Sequence, residues 1–498
     1  MSVSDATAEA ADTRAEHTRA ENARAENAPA ENVRAEDADP RFRHTENVHD
    51  PRAAALREAL GAGVALPGEA TYEALRMPWN LAVAQRPSAV TKPTTAEEVI
   101  AIVRAATAAG LRVAPQSTGH NAAALAHTDL SDVVLVNLAG LRGVTVNPQT
   151  QTAIVLGGSL WNDVLEAAAP HGLTAAHGSA GDVSAVGYSL SGGISFYART
   201  HGLAVNHVRA VHVVTADGSL VRAGADENPD LFWAVRGGSG NFGVVVSIEL
   251  DLLPYADVFA GMLLWDAAHA PAVTHAWAQW TAAAPESATT TLRIMHFPPM
   301  PELPPFLSGR SVVVVDGAIL ETDAAASALL EPLRALDPEI DTFARIPAAA
   351  LIGVHMDPPA PTPAVSAHSI LDALPVEAVD AFLTTAAEPG LFFMELRHLG
   401  GALGRPVEHG GAVSALAGEY LAHAIALAPF QAPSPGEDAV VSGAIAKLAP
   451  WATDALALTF IDSAEVDRAP GFGGSLARLR ELKAEWDPRS VFAAAQPV

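Results

Sequence analysis

The chain has 498 residues, with 30 Lys and Arg against 56 Asp and Glu, a formal charge of −26. That balance argues against a general nucleic-acid binder, which needs a basic face to displace counterions, and against docking on anionic lipid. There is no cysteine, so disulfides, thiolate nucleophiles, Fe–S clusters and cysteine zinc sites are excluded; 49% apolar residues allow a large core.

The first fifty residues carry a five-residue repeat (Arg14-Ala-Glu-His-Thr, Arg19-Ala-Glu-Asn-Ala, Arg24-Ala-Glu-Asn-Ala and onward), with six basic and twelve acidic residues. Five residues advance a helix by about 500°, so the repeat makes no apolar stripe, and a disordered tail is expected. The tail lacks the basic start and apolar run of a signal peptide. No uninterrupted apolar run of about 18 residues follows, so no membrane span and a cytoplasmic location are expected.

From about residue 86 helices and strands alternate. Residues 95–109 read as a helix, with Val99, Ile102, Val103 and Ala106 at helical spacing, Thr94 or Thr95 as N-cap and Gly110 as stop. Residues 111–115, 133–136, 153–156, 211–214 and 244–250 read as strands, and 160–169 as a helix. Beyond Pro254 the expected elements are strand 312–315, helices 324–336 and 376–387, strand 391–396, helix 413–427, and a helix opening the stretch 474–498. Pro-rich loops separate them.

Gly238-Ser-Gly240-Asn-Phe-Gly243 fits the literal G-x-G-x-x-G pattern, but the β-branched run Val244-Val-Val-Ser-Ile follows it. A dinucleotide fingerprint needs a helix there, to meet pyrophosphate with its N-terminus, so a tight turn or a close backbone approach is expected instead. No G-x-S-x-G, H-E-x-x-H or EF-hand loop occurs, and no metal site is expected. Three glycine-bearing loops are more informative: Pro115-Gln-Ser-Thr-Gly-His120-Asn121, residues 178–193, and Arg236-Gly-Gly-Ser-Gly-Asn241-Phe-Gly243. Small residues with free N–H groups make anion-binding concavities, able to hold a pyrophosphate without a basic cluster; for any one loop alone, a plain tight turn is the simpler reading.

In this order and spacing the loops resemble the FAD-binding domain of the vanillyl-alcohol oxidase family, the PCMH-type domain, on its berberine-bridge-enzyme-like and hydroxynicotine-oxidase-like side. Pro87-Ser-Ala-Val-Thr-Lys-Pro-Thr-Thr-Ala-Glu-Glu-Val, Glu227-Asn-Pro-Asp-Leu-Phe-Trp-Ala-Val-Arg-Gly-Gly, Met394-Glu-Leu-Arg-His-Leu-Gly-Gly-Ala-Leu and the run from Leu476 to Phe492 extend the similarity. The resemblance implies an α+β fold: a two-part FAD-binding domain (51–254), an α/β substrate domain with an antiparallel sheet (255–450), and a C-terminal segment (451–498) returning to the first domain.

It further implies FAD bound by Gln116, Ser117, Thr118, Gly119, His120 and Asn121, by Ala180, Asp182, Val183, Gly187, Ser191 and Gly192, and by Val246 and Gln496. His120 matches the histidine that in family members is commonly joined to the flavin 8α-methyl. A second link, through a cysteine near Ala180, is excluded because the chain has none. In the strand around residue 395, Phe393, Glu395, Arg397 and Leu399 share one face. Glu395 and Arg397 are candidates for base or orienter, against the simpler reading of a structural ion pair. Where relatives carry a tyrosine strand near the end, this chain reads Ala455-Leu-Ala-Leu-Thr-Phe460, so Tyr197 and Tyr420 are substitutes. The implied activity is hydride transfer from a small organic alcohol, amine or secondary metabolite to flavin N5, with O₂ as acceptor. The alternatives are an NADPH-dependent flavin reductase of the same fold and a catalytically degenerate ligand-binding protein. Nothing in the sequence speaks to oligomeric state.

Overall fold

A computed structural model describes residues 50–498 apart from His127, Glu302, residues 432–434 and Ala464. The repeats expected to form a disordered tail lie outside the described residues. Strands β1 (Val64–Ala65), β2 (Ala89–Thr91), β3 (Arg112–Gln116) and β4 (Val133–Asn137) make a four-stranded sheet in the order β1-β2-β4-β3. β2 and β3 run parallel to β4. The helix Ala96–Ala109 packs against it through Val99, Ile102, Val103 and Ala106. Its ends are those expected: the Thr95 side chain accepts the Glu98 N–H, and Gly110 stops the helix at φ 76°.

A second, antiparallel sheet orders β5 (Val144–Asn147), β6 (Thr152–Leu156), β7 (Val208–Val214), β8 (Leu220–Gly224) and β9 (Val244–Asp251) as β5-β6-β9-β7-β8. Trp161, Leu231 and Leu479, from three helices, share one core with Val155, Val213 and Ile248 of this sheet. The run after Gly243 is indeed a strand, β9, so the glycine-rich loop turns into a sheet.

The third sheet is wholly antiparallel and has eight strands: β10 (Asp257–Asp266), β11 (Ala288–His296), β12 (Ser311–Ile319), β13 (Ile340–Asp341), β14 (Ala344–Pro347), β15 (Ala364–Leu371), β16 (Phe393–His398) and β17 (Tyr420–Leu427). Its order is β13-β10-β12-β11-β16-β17-β15, with β14 also on β10. Leu292, Ile294, Met394, Leu396 and Ala424 point to one face, where Trp277, Leu330 and Phe382 of covering helices meet them. Each fully buried large side chain there contributes about 1.5–3 kcal/mol of transfer free energy. Alternation along the strands sends Arg293, Glu395, Arg397 and His423 to the opposite face.

Two expectations are corrected. Residues 413–427 are not a helix; Tyr420–Leu427 is the strand β17, paired on both sides. Ala422, Ala424 and Ala426 are buried in the sheet, so tertiary pairing overrides the helix propensity of alanine. Ala455–Phe460 is not a strand; Leu458–Phe460 is a single 3₁₀ turn. Strands β10, β11 and β15 have no counterpart in the expected elements. At the C-terminus the helix Leu476–Trp486 is followed by a stretch pinned beside β3: Val113 N–H donates to Val491 O at 2.7 Å and Ala493 N–H to Val113 O at 2.9 Å. The Asp487 carboxylate accepts from the N–H of Val491 and Phe492 and from Lys483, which fixes that turn.

Candidate functional site

The loop after β3, the segment 183–191, the turn 238–243 and residues 494–496 line one cleft with about 1190 Å³ of non-atom space, part of it open to solvent. Loop 116–121 is held close to the segment before it. Trp79 N–H donates to Thr118 O at 2.8 Å, and Gly119 sits at φ 77° where a Cβ would come within 2.7 Å of Pro78 Cβ. Only glycine closes this turn without strain. Ser239, a non-glycine residue at φ 46°, marks local strain in the second turn of the cleft wall.

His120 is over-determined. Its Nδ1 lies 2.8 Å from Thr118 Oγ1 and its Nε2 3.6 Å from Asp182 Oδ1, and its ring stacks on Trp79 with centroids 4.3 Å apart. Trp79 Nε1 also donates to Asp182. Burial pushes the Asp182 carboxyl up, but His120 and Trp79 together hold it below the usual carboxylate range.

The cleft fits a dinucleotide. Gln116 Nε2, Ser117 Oγ and Asn121 Oδ1 are buried without hydrogen-bond partners. Each orphaned buried polar group costs about 1–3 kcal/mol, so their convergence on one cleft is the mark of a polar ligand. No Lys or Arg is among the lining residues, which leaves backbone N–H groups to meet a pyrophosphate. Gln496 ties the C-terminus into the wall: its side chain accepts from Arg468 and donates to Leu458 O and Ile461 O, and its carbonyl accepts from Asn241.

Among the sequence-derived cofactor residues, Gln116 through Asn121, Val183, Gly187, Ser191 and Gln496 line the cleft. Asp182 reaches it through His120. Gly192 lines a neighbouring hollow between 191–194, 412–417, 455–459 and 470–473. Ala180 and Val246 line neither; the Val246 carbonyl accepts from the N–H of Gly157, which does line the cleft. Tyr197 is set apart from the cleft, stacked on Tyr255 and edge-on to His177 in a closed aromatic cluster. Tyr420 stacks on His398 and bonds Thr281 on the helix-covered side. The sequence reading passed over Trp79, and over Tyr188, which lines the cleft and bonds Ile194 O at 2.6 Å.

Next to the cleft lies the polar face of the third sheet. Register aligns Arg293, Glu395, His423 and His368 across β11, β16, β17 and β15. Glu395 is fully buried. Arg397 Nε is 2.9 Å from its Oε1, and His355 Nε2 and His423 Nδ1 each lie 3.5 Å from its oxygens. Burial pushes the Glu395 carboxyl up, but Arg397, His423 and His355 outweigh it and hold the group far below the usual range. Burial instead drives the His368 ring down to about 3. The Phe460 ring lies beneath Arg397 and edge-on to His423, and its neighbour Thr459 lines the cleft. The sheet face therefore reaches the cleft at that point. His355, His423 and His368 carry no local motif; strand register gathers His423 and His368, and His355 arrives from the segment between β14 and β15. Among the described residues no group of three or more His, Asp or Glu has metal-binding geometry, and no helix is long and apolar enough to cross a membrane.

Residues 87–224 match the FAD binding domain family, and residues 470–498 match the berberine and berberine-like family. The chain thus carries the PCMH-type FAD-binding domain and the berberine-like terminus that its loops resemble, and FAD is the cofactor of that domain. Xylooligosaccharide oxidase of Thermothelomyces thermophilus is 38% identical over 173 residues, 34% of this chain and 35% of that protein. (R)-6-hydroxynicotine oxidase of Paenarthrobacter nicotinovorans is 33% identical over 204 residues, 41% and 44% of the two chains. The chain thus aligns with less than half the length of either curated relative. In three dimensions the likeness is longer. Physcomitrella patens BBE-like 1 superposes with a TM-score of 0.78 at 22% identity, covering 89% of this chain and 98% of that one. 6-Hydroxy-D-nicotine oxidase of Arthrobacter nicotinovorans gives 0.74 at 21%, covering 86% and 96%. These likenesses show the α+β fold with its antiparallel sheets.

Proposed function

We propose that the protein is an FAD-dependent oxidoreductase acting as an oxidase on a small organic alcohol or amine. The observation that carries this reading is the fully buried Glu395, on a sheet face that meets the cofactor cleft at Thr459–Phe460. Bound FAD supplies a two-electron acceptor for substrate hydride and passes the electrons to O₂. Glu395 takes the O–H or N–H proton of the substrate, and Arg397 orients the carboxylate. Phe460 and the rings of His423 and His368 exclude water from that face. His120 offers its ring to the flavin 8α-methyl as the single covalent anchor. The two curated relatives are named for oxidation of a xylooligosaccharide and of a hydroxynicotine, so polyols and cyclic amines are the first substrates to try.

The test is the visible spectrum of the purified protein, followed by a hydrogen peroxide screen over oligosaccharides such as xylobiose and over heterocyclic amines such as 6-hydroxynicotine. A yellow protein that is bleached anaerobically by a panel compound supports the proposal. Colourless protein after incubation with excess FAD sinks it, and bleaching by NADPH alone replaces the oxidase with a reductase.

A further inference from the structure

Glu395 poses a proton problem. It is fully buried and held ionised above all by the Arg397 guanidinium. A carboxylate so strongly held as the anion keeps a substrate proton only briefly, and turnover requires that proton to leave. The carboxylate's neighbours are Arg397 on its own strand, His423 on β17, and His355 on the segment between β14 and β15. Arg397 has no acceptor site for a proton. His423 is flanked by the Phe393 and Phe460 rings and His355 by that of Phe196. Of the two, His355 has a second, partly exposed carboxylate, that of Asp357, 4.0 Å from its Nε2.

The His355 ring is set by what lies on either side of it. Its Nδ1 is 3.1 Å from both oxygens of Asp316. Asp316 is fully buried on β12, and it also accepts from Thr291 Oγ1 at 2.6 Å and from Arg293 Nη2 at 2.5 Å. Burial pushes Asp316 up, yet His355 and Arg293 outweigh that and keep it a carboxylate. An ionised carboxylate at Nδ1 fixes the hydrogen there and leaves Nε2 as the basic nitrogen. Nε2 lies 3.5 Å from Glu395 Oε1, 3.3 Å from Arg397 Nη2, which donates to it, and 4.0 Å from Asp357 Oδ1. The Asp357 side chain is 28% exposed while those of His355 and Glu395 are 1% and 0%. The 4.0 Å gap is within the reach of one bridging water.

We propose that His355, oriented by Asp316, carries the proton of Glu395 out to Asp357 and solvent. The inference rests on the role assigned to Glu395 above. The substrate X–H bond breaks and a Glu395 O–H bond forms; that bond breaks in turn as the proton joins His355 Nε2. The proton then leaves through Asp357, and Glu395 and His355 return to their starting states. The substrate's hydride would pass to bound flavin and its electrons to O₂; the proton that leaves in the reductive half-reaction is matched by one taken up as O₂ becomes H₂O₂, so turnover releases no net proton and needs no further reactant. His355 is a positioning and relay residue; it does not touch the substrate.

The experiment reads the ring directly: ¹⁵N NMR of the full-length, FAD-loaded protein with ¹⁵N-labelled histidine, the His355 signals assigned as those lost in His355→Gln or His355→Asn. The expected result is hydrogen on Nδ1 and a bare Nε2, and in Asp316→Asn a redistribution of that hydrogen towards Nε2. Hydrogen on Nε2 in the wild-type protein overturns the relay, since that nitrogen then has no lone pair for a proton. A kinetic arm uses whichever of xylobiose or 6-hydroxynicotine bleaches the wild-type flavin. His355→Ala is expected to slow bleaching roughly 10²-fold, with the rate restored in proportion to added imidazole; a loss that imidazole does not repair also overturns the relay. Glu395→Gln separates the two ideas: undiminished bleaching there removes Glu395 from the reaction, whatever the tautomer of His355.

Discussion

At the scale of the residue, two side chains decide the proposed chemistry. His120 is held through Nδ1 by Thr118 and by stacking on Trp79, while its Nε2, 3.6 Å from Asp182, makes no hydrogen bond, so its ring is presented to the cleft in one orientation with one nitrogen unbonded. With alanine at 180 and no cysteine in the chain, it is the single position offered for a covalent link. His120→Ala is therefore expected to leave FAD bound but removable, giving a colourless pellet after acid precipitation where the wild-type pellet stays yellow. A yellow pellet from the variant would place the link elsewhere. Glu395 acts by geometry rather than by an elevated pKa, because the Arg397 guanidinium above all keeps it anionic. Glu395→Gln preserves size and removes the charge; it is expected to slow anaerobic flavin bleaching by about 10²–10⁴-fold without altering the flavin spectrum.

At the scale of the element, the helix Ala96–Ala109 shows what local chemistry specifies. Its cap, spacing and stop are all readable because each is set by neighbours in sequence. Thr95→Ala deletes the hydroxyl that accepts the Glu98 N–H and is expected to lower stability by about 1 kcal/mol, read as a shift of the urea midpoint with an unchanged slope. The third sheet shows the opposite case. β10 is buried along almost its whole length, so it lacks the alternation that marks a half-exposed strand, and β17 is rich in alanine, which reads as helix. The cofactor loops were legible because glycine and small polar residues at turns leave a trace in a short window. The row Arg293, Glu395, His423 and His368 was not, beyond Glu395 itself, because it is made by register between strands up to about 130 residues apart. Tyr197 was misplaced for a related reason: its side chain points away from the cleft into the cluster with Tyr255, a direction no local pattern encodes.

At the scale of the whole molecule, buried titratable groups set a pH range for stability from both ends. His177, His201, His207, His368, His398 and His423 are all held below the ordinary histidine value, chiefly by burial, with His177 at about 4 and His368 at about 3. The unfolded chain protonates these rings below about pH 6.5 while the folded chain refuses the protons. Stability is therefore fully present above that value and falls as the pH drops towards 4. Asp462 acts in the opposite sense. Burial and the nearby Asp438 push its carboxyl up to about 8, and its Oδ1 is buried without a partner. Between its unfolded value of about 3.9 and 8, the folded chain keeps a proton that the unfolded chain has lost, so this group removes stability as the pH rises through that window. Below pH 6.5 several histidines outweigh one aspartate; above it the aspartate acts with little opposition. The melting temperature is accordingly expected to peak near pH 6.5 and to fall on both sides. Asp462→Asn should raise it at pH 8, flatten the alkaline limb and leave the acid limb in place, because the amide has no proton to lose. A wild-type melting temperature that climbs steadily from pH 6.5 to 8.5, or an Asp462→Asn shift of equal size at pH 5 and pH 8, would contradict this assignment.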